Sequence, residues 1–158
     1  MFAWRRPKPD VHSPDPLLRR AAISAQRVGQ NMLRRLVVRD SDAAVREAAA
    51  RRLLDLVVLR QVLETDAEEA VREAARARYR QLLAAGDALD LDYRQAALGA
   101  CRDRQVIAHV ARSGREVALR LAALERVEDP RLLSEAAEHD HDPQVRAKAA
   151  QRLRALTG

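Results

Sequence analysis

The sequence predicts an all-α fold, an α-solenoid of about six short helical-hairpin repeats. Alanine, leucine, arginine and glutamate dominate the 158 residues, whereas only 3% of them are aromatic and five are glycine. This composition favours helix over strand at nearly every position. A motif that recurs about every 26 residues is the second observation, and a recurrence of that length indicates a repeat architecture.

Each repeat carries four residues at fixed spacing. Counted from an apolar residue at position 0, an acid stands at −3, an arginine at +1 and an alanine at +4. The zero positions are 27, 26, 22, 26 and 26 residues apart. Six registers meet all four demands: Asp15/Leu18/Arg19/Ala22, Asp42/Val45/Arg46/Ala49, Glu68/Val71/Arg72/Ala75, Asp90/Tyr93/Arg94/Ala97, Glu116/Leu119/Arg120/Ala123 and Asp142/Val145/Arg146/Ala149.

These positions predict the second helix of each hairpin. Positions 0, +4 and +8 form an apolar stripe at helical spacing in the last five repeats, whereas the first repeat has Gln26 at +8 and is interpreted as a polar capping unit. Alanine at +4 lets two helices approach closely. The −3 acid is placed to cap the helix, and the +1 arginine to reach an acid of its own or the neighbouring repeat. A series of ion pairs between repeats is therefore expected.

The first helices lie between these motifs. Residues 32–38 and 56–63 supply two of them, Asp103 opens a third, and Asp129 followed by Pro130 opens a fourth with an N-cap acid and a proline at N1. Only residues 86–89 remain between the third and fourth repeats. That first helix is therefore expected to be nearly absent, and the array to kink or tighten there.

The pattern Asp-Pro-x-Val-Arg-x-x-Ala-Ala at residues 142–150 resembles HEAT repeats, whose helix pairs carry an aspartate before the second helix and an arginine within it. The resemblance covers about residues 15 to 156. Residues 119–133 are also similar to the N-terminal repeat region of a family of uncharacterised bacterial coiled-coil proteins, which brings no known activity. We expect a proline-rich basic leader at residues 1–14 and a HEAT-like repeat array at residues 15–158.

The first 40 residues carry the whole net charge. They contain nine basic residues and three acids, whereas the remaining 118 residues carry 20 of each. A concentrated positive end can attract nucleic acid, an anionic membrane or an acidic protein, or it can simply keep the array soluble. Within the leader, Trp4 beside Arg5 and Arg6 can stack on a base, sit in a bilayer interface or fold back over the first repeat.

A second arginine signal appears at position +9, about 180° around the second helix from position 0. Because the resemblance implies that second helices line the concave side, this row would face a partner; the alternative is an ordinary solvated row. The same enrichment at +7 weakens the partner interpretation. The +9 arginines are Arg27, Arg80, Arg102 and Arg154.

Other reactive side chains favour structural roles. Cys101 lies on the apolar stripe, which indicates a buried structural thiol rather than a nucleophile. His109 is expected to be a surface or packing residue. His139 and His141 alternate with Asp140 and Asp142 and could hold zinc, but no third histidine or cysteine is near in sequence and Asp142 is placed as a cap. No metal or cofactor is therefore expected.

The sequence predicts a non-enzymatic scaffold that holds a protein partner in the cytoplasm of a bacterium. A single cysteine, the lack of a secretory signal or membrane span, and arginine in place of most lysines favour that location and source. The alternative is a nucleic-acid-binding module, although HEAT-like DNA glycosylases use aromatic groove residues that this chain lacks, and single-strand binders use aromatic platforms. Candidate partner-binding residues are Trp4, Arg5, Arg6, Arg27, Arg80, Arg102 and Arg154.

Overall fold

The computed structural model describes residues 8–85 and 87–158, and within these ranges every regular element is an α-helix, which confirms the all-α fold class. Six helices have an aspartate whose side chain caps them and three carry proline in the first turn, as the sequence pattern requires. The helices of the described ranges are α1 (Pro16–Ser24), α2 (Gln30–Arg39), α3 (Ala43–Ala50), α4 (Leu56–Thr65), α5 (Glu69–Ala85), α6 (Leu91–Ala100), α7 (Arg104–Ser113), α8 (Val117–Leu124), α9 (Pro130–His139) and α10 (Pro143–Thr157).

The helices follow the repeat register closely. The second helices α1, α3, α5, α6, α8 and α10 all begin two residues before position 0, directly after the −3 acid. The four predicted first helices are α2, α4, α7 and α9. Residues 87–90 contain no helix, so the fourth repeat lacks its first helix as predicted.

The chain divides into two compact units, of which the N-terminal ends at Arg78 and the C-terminal begins at Tyr79. In the N-terminal unit α3 packs against α1 and α2, and α2 contacts α4. In the C-terminal unit α8 packs against α6, α7 and α10, while α9 packs against α7 and α10. The second helices α3, α8 and α10 therefore each pack against the first helix of their own repeat and a neighbouring second helix.

The predicted apolar stripe forms the core of most repeats. In the second repeat Val45, Ala49 and Leu53 are fully buried, and the third and fifth repeats bury the same three positions. Gln26, at +8 of the first repeat, is exposed and has φ 59°, a left-handed conformation that ends α1. The polar interpretation of that position is confirmed.

The −3 acid caps its helix in only some repeats. The side chains of Asp15, Asp42 and Asp142 accept hydrogen bonds from backbone amides of the first turn at 2.8–3.3 Å. Asp90 and Glu116 make no such bond. Glu116 instead pairs with a buried arginine, so the prediction of a cap is wrong there: the longer side chain serves the packing between repeats.

The +1 arginines join successive repeats, as expected, but mainly through an acid at position −5. In each of three pairs the Nε and Nη2 atoms of the arginine donate to the two carboxylate oxygens at 2.8–3.1 Å. The acid belongs to the repeat that follows. The three pairs are Arg19–Asp40, Arg46–Asp66 and Arg120–Asp140.

The same guanidinium also closes the turn before its own helix. Nη1 of Arg46 donates to the carbonyl of Asp40 at 2.9 Å, and Nη1 of Arg120 donates to that of Gly114 at 2.7 Å. Arg19, Arg72 and Arg146 bond to their own turns in the same way. One side chain therefore satisfies turn carbonyls within a repeat and holds the next repeat in register.

The pKa of each −5 aspartate reflects this environment. Burial acts to raise the pKa of Asp40, Asp66 and Asp140, but the hydrogen bonds from the paired arginine and from the backbone amide two residues later outweigh it. The pKa of all three carboxyl groups is therefore lower than the ordinary value of 3.8.

The fourth repeat departs from this pattern, because the fifth has Gly114 at −5. A Cβ there would lie 2.7 Å from the carbonyl oxygen of Val110, so no side chain fits. Arg94, only 1% exposed, pairs through both Nη atoms with the carboxylate of Glu116 and donates through Nε to the carbonyl of Leu83 at 3.3 Å. A buried ion pair thus takes a core position in the C-terminal unit.

Asp66→Asn should lower the free energy of unfolding by about 2–4 kcal/mol, because it leaves the guanidinium of Arg46 half-buried without its counter-charge. Urea unfolding of the full chain, followed by circular dichroism, measures this change. Glu47→Gln is the matched control, since it breaks an exposed pair with Arg51 and should cost less than about 1 kcal/mol. An equal loss of unfolding free energy in both variants would contradict the larger contribution expected from the Arg46–Asp66 pair.

The three −5 aspartates should also make stability fall in acid. Above the pKa of an unfolded aspartate, the three carboxyl groups are ionised in both the folded and the unfolded chain, and the ion pairs contribute fully to stability. Below about pH 4 the carboxyl groups of the unfolded chain take up protons first. The contribution of the ion pairs to stability is therefore lost as the pH falls through the lowered pKa of the folded state. Urea midpoints recorded from neutral pH downward should show this decline. The urea midpoint of Asp66→Asn should fall less steeply with pH than that of the wild type. An unchanged slope would show that Asp66 does not contribute to the pH dependence of stability.

Arg94→Lys should destabilise the C-terminal unit by about 3 kcal/mol, because the ammonium keeps the charge but cannot bond at once to both carboxylate oxygens and the carbonyl. Thermal unfolding of the full chain tests this. Arg35→Lys, at an exposed arginine, should change stability by less than about 0.5 kcal/mol. A lysine variant as stable as this control would show that the fork geometry is unimportant.

Candidate functional site

A groove lies between the C-terminal halves of α2 and α4 in the N-terminal unit. Its volume is about 250 Å³. Val38 on α2 and Val62 on α4 give it apolar walls, and Gln61 and Thr65 stand on α4. Val38 is 46% exposed, which leaves it available for contact.

A second groove lies between α7 and α9 in the C-terminal unit. Its volume is about 320 Å³, and Leu132 and Ala136 supply apolar surface on α9. Its rim is more highly charged than that of the α2/α4 groove, because Arg112, Glu135 and His139 line it. Arg112 and Glu135 approach each other at 3.5 Å, both about half exposed.

The two grooves are formed by corresponding positions of the repeat. One side of each groove is formed by positions −8, −7, −5 and +1 of a repeat. The other side is formed by positions −10, −9, −6, −5 and −4 of the next repeat. The floor is the same in both, since Arg46–Asp66 and Arg120–Asp140 are the ion pairs that join the repeats. The rim differs, because −10 and −6 are Gln61 and Thr65 in one groove and Glu135 and His139 in the other.

The missing first helix of the fourth repeat leaves a separate open cleft of about 590 Å³. Asp87, Asp90 and Glu116 bring carboxylates to it, beside Tyr93. Two of these carboxylates are already paired, Asp87 with Arg115 and Glu116 with the buried Arg94. The cleft therefore reflects the shortened repeat rather than an assembled reactive centre.

The predicted row of +9 arginines does not form one helical face. Arg80 and Arg154 lie on α5 and α10, whereas Arg27 and Arg102 lie in turns, because α1 and α6 end at Ser24 and Ala100. The prediction that all four stand on second helices opposite position 0 is wrong for those two. All four are exposed, and none makes an ion pair with a described residue.

The +7 arginines have a structural role that separates them from the +9 row. Each donates a hydrogen bond to a carbonyl near the end of the preceding second helix, where helix carbonyls lack partners within the helix. The four bonds run from Arg52 to Ile23, Arg78 to Leu53, Arg126 to Leu98 and Arg152 to Val127. Burial, followed by the charge of Arg52, lowers the pKa of Arg78. The +7 enrichment therefore holds repeats together.

Arg80 has a basic neighbourhood in the C-terminal unit. Burial lowers the pKa of His109, and the charges of Arg80 and Arg112 lower it further. His109 is half-buried on α7, which agrees with the packing role expected from the sequence. The candidate arginine at +9 thus stands close enough to α7 to act on a titratable group there.

Three candidate residues, Trp4, Arg5 and Arg6, lie outside the described residues, so their predicted contacts stay predictions. Cys101 is buried and its Sγ lies 3.8 Å from the carbonyl oxygen of Asp103, which confirms a structural thiol. His139 and His141 are exposed. In residues 8–85 and 87–158, no three histidine, cysteine, aspartate or glutamate side chains are grouped so that they could hold a metal ion.

The four-residue repeat pattern did not identify the aspartates at position −5, nor the exposed arginines that lie outside the +9 row. Asp40, Asp66 and Asp140 occupy one register, so extending the frame by two residues would have found them. Arg20, Arg35 and Arg39 are exposed and were visible only as part of the charge imbalance of residues 1–40.

Among the helices of the described ranges, none combines the length and apolar character that crossing a membrane requires.

No protein-family model matches this chain, and comparison with curated proteins and with solved structures likewise gave no match. The resemblance to HEAT repeats therefore stays a prediction that rests on the repeated residues themselves.

Proposed function

We propose that this chain is a non-enzymatic scaffold that holds a protein partner, with HEAT-like hairpins arranged as an α-solenoid. The recurrence of one groove at corresponding positions, between α2 and α4 and between α7 and α9, is the observation that carries the proposal. The sequence has a single cysteine and therefore cannot form an internal disulfide, which suits the reducing cytoplasm, where we place this scaffold.

The grooves combine a constant floor with a variable rim. Buried ion pairs hold the floor rigid, so the helices on either side keep their spacing while rim residues change. Apolar walls at Val38 and Val62 can bury aliphatic side chains, and Gln61 and Thr65 can hydrogen-bond to a peptide. Volumes of about 250 and 320 Å³ lie at the lower end for small-molecule pockets and fit a few side chains of a polypeptide.

Site-specific photo-crosslinking in cells tests the proposal. A photo-reactive phenylalanine analogue at Thr65 or His139, on the groove rims, should crosslink to a discrete protein, because a partner seated in a groove lies within reach of these positions. The matched controls are Ala77 and Gln151, which are exposed on α5 and α10 and do not line either groove.

A second variant separates groove binding from incidental contact. Val38→Asp places a charge on the apolar wall of the α2/α4 groove and should remove the crosslink at Thr65, while circular dichroism should show an unchanged fold since Val38 is already half-exposed. Crosslinks of equal strength at all four positions, or a Thr65 crosslink that survives Val38→Asp, would reject the α2/α4 groove as a protein-binding site.

A further inference from the structure

Four arginines near the N-terminal end lack a counter-charge. Arg20 lies on α1, Arg27 in the turn that follows, and Arg35 and Arg39 on α2, and all four are exposed. None makes a side-chain hydrogen bond or ion pair with another described residue. Residues 1–7 contain no aspartate or glutamate that could supply one. Arg35 and Arg39 stand one turn apart on the same side of α2, and we refer to these two as the N-terminal arginine face.

The acids of this region are already engaged. Asp10 accepts a hydrogen bond from the amide of His12 at 2.9 Å, Asp15 caps α1 through the amide of Leu17 at 2.9 Å, and Asp40 holds the buried Arg19. Arg34, the neighbour of Arg35 in sequence, is paired with Asp55 at 2.9 Å. The positive charge of the face is therefore not neutralised within the N-terminal unit.

The position of this face in the repeat explains why no described helix covers it. Arg35 and Arg39 stand one turn apart on α2, at positions −10 and −6, which in the third and sixth repeats line a groove against the preceding first helix. Residues 8–15 of the first repeat form no such helix, since they consist of turns, bends and irregular chain. The edge of α2 that would line a groove is therefore uncovered, and it carries two free guanidinium groups.

We propose that the N-terminal arginine face binds the phosphate backbone of a nucleic-acid duplex, a role beyond the protein-holding function of the grooves. Guanidinium groups bond to phosphate through two donors at once, and a polyanion offers phosphates in series to several arginines. The two tyrosines are buried or half-buried in the C-terminal unit, so the described residues give no exposed aromatic platform for unstacked bases. Recognition is thus of the backbone, without sequence preference.

Fluorescence anisotropy with a short labelled DNA duplex tests this proposal on the full chain between about 50 and 200 mM salt. The double variant Arg35→Gln/Arg39→Gln should weaken binding at least about tenfold at the lowest salt, and should reduce the slope of log affinity against log salt by about two. The matched control, Arg104→Gln/Arg131→Gln, removes the same charge from exposed arginines of the C-terminal unit that line neither groove, and should leave both quantities near the wild-type values.

Circular dichroism of both double variants should match the wild type, since all four side chains are exposed and the one ion pair that is lost, between Arg104 and Glu128, lies on the surface. Equal weakening by the two variants would overturn the proposal, because it would reduce the effect to net charge. Competition by polyglutamate as effective as that by unlabelled duplex would also overturn it, and would assign the face to an acidic protein. Absence of binding at the lowest salt would overturn it as well.

Discussion

The guanidinium at position +1 is the group on which the packing of adjacent repeats depends. Its planar fork presents one edge to the carboxylate of the following repeat and a third nitrogen to the carbonyls of its own turn, as Arg46 does with Asp66 and Asp40. An ammonium group has no such fixed fork, so lysine could not hold both contacts in one geometry. The turn within a repeat and the register between repeats therefore share one side chain.

Arginine has three separate uses in this chain, and only contacts distinguish them. Three +1 side chains, of Arg19, Arg46 and Arg120, pair with largely buried carboxylates. The +7 side chains cap carbonyls near helix ends, for example Arg52 on Ile23. Those of the N-terminal arginine face have no partner. A basic composition by itself therefore says little about nucleic acid, because many of the guanidinium groups are occupied by contacts within and between repeats.

The shortened repeats decide where the molecule offers open surface. Wherever two first helices follow each other, their C-terminal halves enclose a groove with an ion pair as its floor. Where a first helix is missing, the neighbouring surface stays uncovered. In the fourth repeat this leaves a cleft beside Tyr93, and in the first no helix within residues 8–15 covers the edge of α2 that carries Arg35 and Arg39. Protein-binding grooves and a charged face can thus arise from the same repeat.

The sequence by itself determined what short-range interactions control. The spacing of acid, apolar residue, arginine and alanine located every second helix to its first residue, because N-caps, helix periodicity and proline at N1 act over only a few residues. It also located the missing first helix before Leu91. The stripe that ends at Leu53 was readable because burial follows the same period.

Only the tertiary structure decided which acid each arginine pairs with, where the second helices end, and which cations stay free. Asp66 lies 20 residues from Arg46, so their contact depends on how two hairpins pack rather than on spacing along one helix. Arg27 and Arg102 fall in turns because packing and caps end α1 and α6 early, which no periodicity reveals. Gly114 leaves Arg94 without an acid at −5, and Arg94 pairs instead with Glu116, 22 residues along the chain, a contact that only the packing of the helices brings about.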